Sequence, residues 1–258
     1  YSLKFLLLIF RLIIAEISSS QVVRSPKSYR AMFYNVENLF DSFDDSLIND
    51  DEFTPKGARH WTWDKMNKKI DGIYKTIVAV GGWEAPVFVG MCEVENGYML
   101  YRLTHETPLL KYDYGIIHRE SPDPRGIDVA LIYRPDRFQL LEKDFFKVIF
   151  PDDTARRTRE ILYAKGLMSN DTLHVFVNHW PSRTGGEKTS RPLRNAAADL
   201  TRSLVDSIMT TDPNAKIIVM GDLNDDPHNE SLIKHLKAKK TIDETKPGDL
   251  YNCMYDLY

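Results

Sequence analysis

Four apolar runs along the chain each end in a polar cluster. Tyr29 to Val36 alternates, is rich in β-formers, and runs into Asn35-Val36-Glu37-Asn38. Pro86 to Met91 is continuously apolar and ends in Cys92-Glu93-Val94-Glu95-Asn96. Thr172 to Val177 ends in Asn178-His179-Trp180-Pro181-Ser182-Arg183, and Ile217 to Met220 ends in Gly221-Asp222-Leu223-Asn224-Asp225-Asp226-Pro227. Runs of this length and composition predict buried strands. Further strands are expected over 127–133, 138–150 and 159–168, the last two joined by a basic loop. Helical spacing appears between them. Met66, Ile70, Ile73 and Ile77 share one face of a helix over 64–80, with Asp64 as its cap and Gly81-Gly82 as its stop. Other helices are expected from Glu95, as a cap, to about His105, over 191–209 with Pro192 in the first turn, and over 229–240. Residues 41–63 are acidic, then hold Pro, Gly and Trp, and read as a loop at a rim. The alternation predicts an α/β protein, and the strand runs in the middle point to paired sheets.

Polar groups gathered at the ends of buried strands are the usual start of a site in such folds. A carboxylate in the position of Glu93 needs a cation or a partner, because an isolated charge at a buried strand end is costly. It is therefore a candidate metal ligand, or else a helix-capping acid. Asn35 and Glu37 stand two residues apart on one face, suited to orienting phosphate or water and to supporting the metal. Asn38 suits the loop backbone. The imidazole of His179 can donate to a phosphate oxygen. Asn178, Arg183, Lys188, Arg191 and Arg194 crowd around it with one acid, Glu187, as expected for an anionic substrate or for a solvated basic loop. Asp222 and Asn224 also share one side of an extended stretch. Arg125 is a further candidate substrate contact. Asp128 either orients a site residue from behind or pairs with Arg125 to fix a strand start. Oxygen donors of this kind suit Mg²⁺ or Mn²⁺.

The set Asn35-Val36-Glu37-Asn38, Cys92-Glu93-Val94, Asn178-His179-Trp180 and Gly221-Asp222-Leu223-Asn224 resembles the endonuclease/exonuclease/phosphatase superfamily, in its motif order, from about Tyr29 onward. That group includes pancreatic-type deoxyribonucleases, abasic-site endonucleases, neutral sphingomyelinases and inositol polyphosphate 5-phosphatases. Phe33 to Asp41 and Asn178 to Ala198 are similar to its secreted bacterial branch. The resemblance implies two packed mixed β-sheets flanked by helices, a four-layer α/β/β/α sandwich. It implies metal-dependent cleavage of phosphodiesters or phosphomonoesters, nucleic acid among them. Glu93, Glu37 and Asp222 would serve the metal, Asp222 would align or deprotonate the attacking water, and Asn224 would hold that water or a phosphate oxygen. A sphingomyelinase- or inositol-phosphatase-like hydrolase is the alternative, with Trp61-Thr62-Trp63 as its lipid-facing loop. The family's closing motifs, an aspartate and then an Asp-His pair, find no match after Asn224. The expectation is a C-terminally truncated chain lacking its last strands, for which an inactive binding module is a further alternative.

The chain has 258 residues, 43% hydrophobic and 28% charged, enough for one large core and one catalytic domain over 21–258. A net charge of −3 argues against a general electrostatic affinity for nucleic acid. Leu3 to Ala15 is apolar around Lys4 and Arg11, followed by Ser18-Ser19-Ser20, which predicts a signal peptide over 1–20 and a secreted or periplasmic protein. A membrane anchor is the lesser reading; after processing no stable span and a monomer are expected. Cys92 is expected as a buried free thiol.

Overall fold

The computed structural model describes residues 29–257 apart from Trp83 and Asn170, so the expected signal segment lies outside the described residues. The first sheet begins with β1 (Ala31–Leu39) and β2 (Phe88–Val94), which run parallel. A parallel pair needs a long crossover, and α1 (Trp63–Gly81) supplies it. Met66, Ile70, Ile73 and Ile77 are buried, as the helical spacing predicts. The cap of α1 is Thr62, whose hydroxyl accepts from the Lys65 NH at 3.4 Å, rather than Asp64. Gly82, with φ +59°, stops the helix. Next come α2 (Gly97–His105), β3 (Gly115–His118) and β4 (Asp128–Tyr133), giving the sheet order β1-β2-β4-β3. Asn96 caps α2, and Glu95 is buried beside it instead of capping.

The second sheet has the order β5-β6-β7-β8: β5 (Gln139–Phe146), β6 (Ile161–Met168), β7 (Asp171–His179) and β8 (Lys216–Asp222). Here β7 and β8 are the parallel pair, and α3 (Glu187–Thr211) is their crossover. The helix begins four residues before Arg191, so Pro192 lies inside it rather than in its first turn. The segment 229–240 forms one wide helical turn, Ser231–His235, and then β9 (Ala238–Lys239), paired with β10 (Leu250–Tyr251). A full helix does not form because Asp225 anchors Asn229 and Ser231, and Lys237 takes φ +60°.

Three apolar layers hold these parts. Met91, Val94, Ala130 and Ile132 of the first sheet pack under α1 and α2. Cys92, Val129, Leu131, Val175 and Val177 fill the space between the sheets. Ile161, Phe176 and Trp180 pack under Ala197, Ala198 and Val205 of α3. The result is the expected α/β/β/α sandwich of two mixed sheets. Cys92 is buried and free, and Cys253 is exposed and free. No helix among the described residues is long and apolar enough to cross a membrane.

Candidate active site

Both parallel pairs end at the same edge of the sandwich, which carries the polar clusters to one place. Asn35 of β1 lies beside Cys92 of β2, and His179 of β7 beside Asp222 of β8. The strand ends are distorted there. On β1, the ladder slips between Asn35 and Leu39, and Glu37 (φ +53°) and Asn38 (φ +64°) take left-handed backbone. On β2, it slips across Glu93, which has φ +63°, and after β8 Asn224 has φ +52°. Four non-glycine residues in this sparsely populated region, all at one edge, mark a place where local strain is tolerated to aim side chains.

Asn35 ties the two sheets together. Its side-chain NH₂ donates to Glu93 Oε1 at 3.2 Å and to Asp222 Oδ2 at 3.0 Å, while its Oδ1 accepts from the Glu37 NH at 2.8 Å. His179 Nε2 stands 3.9 Å from Glu93 Oε1. Asp222 Oδ1 accepts from the Asn224 NH at 3.0 Å, and the Asn224 side chain donates to the Trp180 carbonyl at 2.9 Å. Asn35, Glu93, His179, Asp222 and Asn224 therefore form one connected group. Lys69 of α1 sits within the fields of Glu37 and Glu93, while burial pulls its pKa down.

The side chain of His179 is 4% exposed, and its Nδ1 is buried without a hydrogen-bond partner. Burial, followed by the cations of Arg159 and Arg125, presses its pKa down to about 2. It is therefore neutral near pH 7, a hydrogen-bonding group rather than a cation. Arg159 was hidden in the sequence as one arginine before an apolar run. It is buried, donates to the carbonyls of His179 (3.2 Å) and Trp180 (2.7 Å), and pairs with Asp123 at 2.9 Å. It clamps the backbone that carries His179. Lys69 was missed for the same reason, since only the fold brings α1 beside Glu93.

Other expected site residues are held differently. Asn178 is wholly buried, with its Oδ1 accepting from Trp180 Nε1 and Thr201 Oγ1, so it braces β7 against α3 and departs from the expected substrate contact. Arg194 departs likewise: it is 0% exposed and paired with Asp225 at 2.7 Å. Arg183 donates to the Asn224 carbonyl and pairs with Asp225 and Asp226, securing the loop after β8. Arg191 pairs with Glu187 and Glu230. Arg125 is half exposed, paired with Asp123, and close enough to act on His179. Asp128 accepts from the Ser121 NH and bonds His118 at 3.0 Å, so its hydrogen bonds go to neither Arg125 nor the Asn35 group. A cavity of about 570 Å³ opens beside Asp222 and Asn224, with Arg183, Leu223 and Met254 among its walls.

The donors fit a hard divalent cation. Two carboxylates from different sheets meet on one neutral amide, and among the described residues neither has a Lys or Arg at ion-pair distance. Cys92 Sγ, His179 and Asp222 offer a second grouping, with ligand atoms within 4.8 Å of one another. Burial pushes the Cys92 thiol strongly up, however, so it stays protonated and is a poor ligand. Glu93 and Asp222, supported by Asn35 and Glu37, are the better oxygen set.

No curated protein matches the sequence significantly. Among solved structures, the human nocturnin catalytic domain with bound sulfate anion is 20% identical with a TM-score of 0.50, over 66% of this chain and 61% of that one. The chain thus spans less than two thirds of that domain. D. rerio TDP2 complexed with a single-strand DNA product is 17% identical with a TM-score of 0.50, over 82% of this chain and 66% of that one. A functionally unknown conserved protein from Enterococcus faecalis V583 is 15% identical with a TM-score of 0.56, over 81% and 71%. At these identities the likeness is one of fold. The sequence model of the endonuclease/exonuclease/phosphatase family matches residues 30–258, and the chain belongs to that family.

Proposed function

We propose that this protein is a metal-dependent phosphodiesterase of the nuclease type, cleaving phosphate esters with Mg²⁺ or Mn²⁺. One observation carries the reading: Asn35 donates to both Glu93 and Asp222 across the seam between the sheets. Glu93 and Asp222 would hold the cation, with Glu37 beside them, and the cation would supply charge neutralisation for the phosphate. Asp222 accepts the proton of the attacking water or aims its lone pair at phosphorus. His179, neutral and locked by Arg159, donates to a non-bridging oxygen as negative charge grows there. With its NH₂ committed to Trp180, Asn224 keeps a carbonyl oxygen to hold the water. Arg125 is the one predicted arginine left half exposed near His179, suited to an approaching anion.

A lipid phosphodiesterase is less well supported. Trp61 donates to the Phe40 carbonyl and is half-buried, and the ring of Trp63 is covered by the Arg102 guanidinium at 4.3 Å. Trp63 is 45% exposed, but a guanidinium stands against its ring, and one exposed ring beside a cation is a weak anchor for a bilayer. Export directed by residues 1–20 remains part of the proposal; N-terminal sequencing of secreted or periplasmic material tests it.

The test is a panel of single-stranded DNA, RNA, duplex DNA, sphingomyelin and phosphoinositide, assayed with Mg²⁺ and with chelator. Cleavage of nucleic acid that stops on chelation is expected. Asp222→Asn is expected to lower kcat by about 10²–10⁴. Turnover that survives chelation, or an Asp222→Asn enzyme of full activity, would refute the mechanism.

A further inference from the structure

On the outer side of the first sheet, next to the ends of β1 and β2, lies a second hollow of about 330 Å³. Tyr34, Trp61, Lys65, Lys68, Lys69 and Gly72 line it. Its residues come from three segments: β1, the loop before α1, and two turns of α1. No acid lines it. Among the described residues, Lys68 and Lys69 have no ion pair, and Lys65 Nζ donates instead to the Arg59 carbonyl at 2.8 Å. Lysines without ion pairs on one wall suit an anionic ligand, with Lys69 also within the fields of Glu37 and Glu93. Gly72 is exposed, and a Cβ there would meet nothing within 4 Å. A side chain at this position therefore has room beside the lysines.

The hollow adjoins the candidate active site. Tyr34 immediately precedes Asn35, and the carboxylates whose fields reach Lys69 are Glu37 and Glu93. A chain whose scissile phosphate rests at Glu93 and Asp222 therefore has a basic, aromatic-walled path beside it. Lysines along a backbone with aromatic rings between them are how sequence-tolerant single-strand grooves are built. The same lysines disfavour a choline headgroup, whose quaternary ammonium would meet their charge. The sequence conceals this arrangement because Tyr34 and Lys68 are far apart along the chain.

The geometry points to this hollow as a binding track for the single-stranded nucleic acid flanking the scissile phosphate. The inference rests on the phosphodiesterase reading and names the substrate class of that site. Lys65 and Lys68 take phosphates next to the one cleaved, and Tyr34 and Trp61 take the faces of the bases.

The experiment measures binding of a short fluorescent single-stranded oligonucleotide by anisotropy in chelator, where the metal-dependent reaction is off. Lys65→Ala/Lys68→Ala is expected to weaken binding roughly tenfold and to lower the salt slope by about 1.4, at about 0.7 per phosphate contact. Gly72→Glu, an exposed change that places an acid in the hollow, is expected to weaken it similarly. Cleavage of bis(4-nitrophenyl) phosphate with Mg²⁺, too small to reach the track, is expected to stay within about twofold in both variants. Oligonucleotide affinity unchanged in both variants overturns the track. So does binding to sphingomyelin vesicles in preference to the oligonucleotide. Failure of the wild type to cleave the small diester overturns the phosphodiesterase reading instead, while the binding comparison still decides the track.

Discussion

Two buried titratable groups near the site pull stability in opposite directions with pH. His179 is held neutral, with its pKa down from 6.5 to about 2, so the unfolded chain binds the extra proton and stability rises with pH across that window. Glu95 is 3% exposed, and burial, against the help of the Asp41 NH and with the added repulsion of Asp41, Asp50 and Glu120, pushes it up from 4.5 to about 8. The folded chain then binds the extra proton, and stability falls as pH rises from 4.5 to 8. Between pH 4.5 and 6.5 the two contributions oppose each other, each worth roughly 2–3 kcal/mol at 1.36 kcal/mol per unit. Glu95→Gln is expected to leave the His179 slope exposed, losing roughly 2–3 kcal/mol on acidification through this range. His179→Gln is expected to show the reverse slope. Urea midpoints across this pH range, in chelator, measure both. The sequence marks His179 as a candidate site residue but gives no sign of its protonation, which depends on burial and on Arg159 and Arg125.

At the scale of elements, the β7–β8 pairing sets the distance between His179 and Asp222. Gly221 sits opposite Asn178, and a Cβ on it would lie 2.3 Å from the Asn178 carbonyl oxygen. That contact is with backbone, so no side-chain rotation relieves it. Gly221→Ala is expected to cost about 1–3 kcal/mol and to displace Asp222, lowering kcat more than KM. Thermal melts and steady-state kinetics together check this. Strand runs such as Pro86 to Met91 and the buried face of α1 were legible because burial on a fixed period writes itself into composition. The wide turn at Ser231–His235 was not, because Asp225 holds it through Asn229 and Ser231, contacts that periodicity does not encode.

At the scale of the whole molecule, the site straddles two sheets. Asn35 and Glu93 belong to the first, and His179 and Asp222 to the second. A cation bound by both carboxylates therefore links the layers and binds the folded state alone. Mg²⁺ at a hundred times its Kd is expected to stabilise the protein by about 2.7 kcal/mol. That is roughly 5–10 °C in Tm for a domain of this size. Glu93→Gln is expected to abolish most of the shift, which differential scanning fluorimetry reads without any substrate. An equal shift in Glu93→Gln would place the cation elsewhere.

The sequence by itself determined the layers and the chemistry available, because apolar runs must be buried and a polar cluster at a strand end has few other uses. Asn35, Glu93, His179, Asp222 and Asn224 were all legible from that pattern. Tertiary structure alone decided which polar residues gather at the candidate site and which brace the scaffold. Asn178 and Arg194 carry the same chemical groups as the candidate ligands do, yet Asn178 is bound to Thr201 of α3 and Arg194, on α3 itself, is paired with Asp225. Lys69 and Arg159 joined the site for the converse reason: contacts across distant segments, which no local pattern records, placed their charges there.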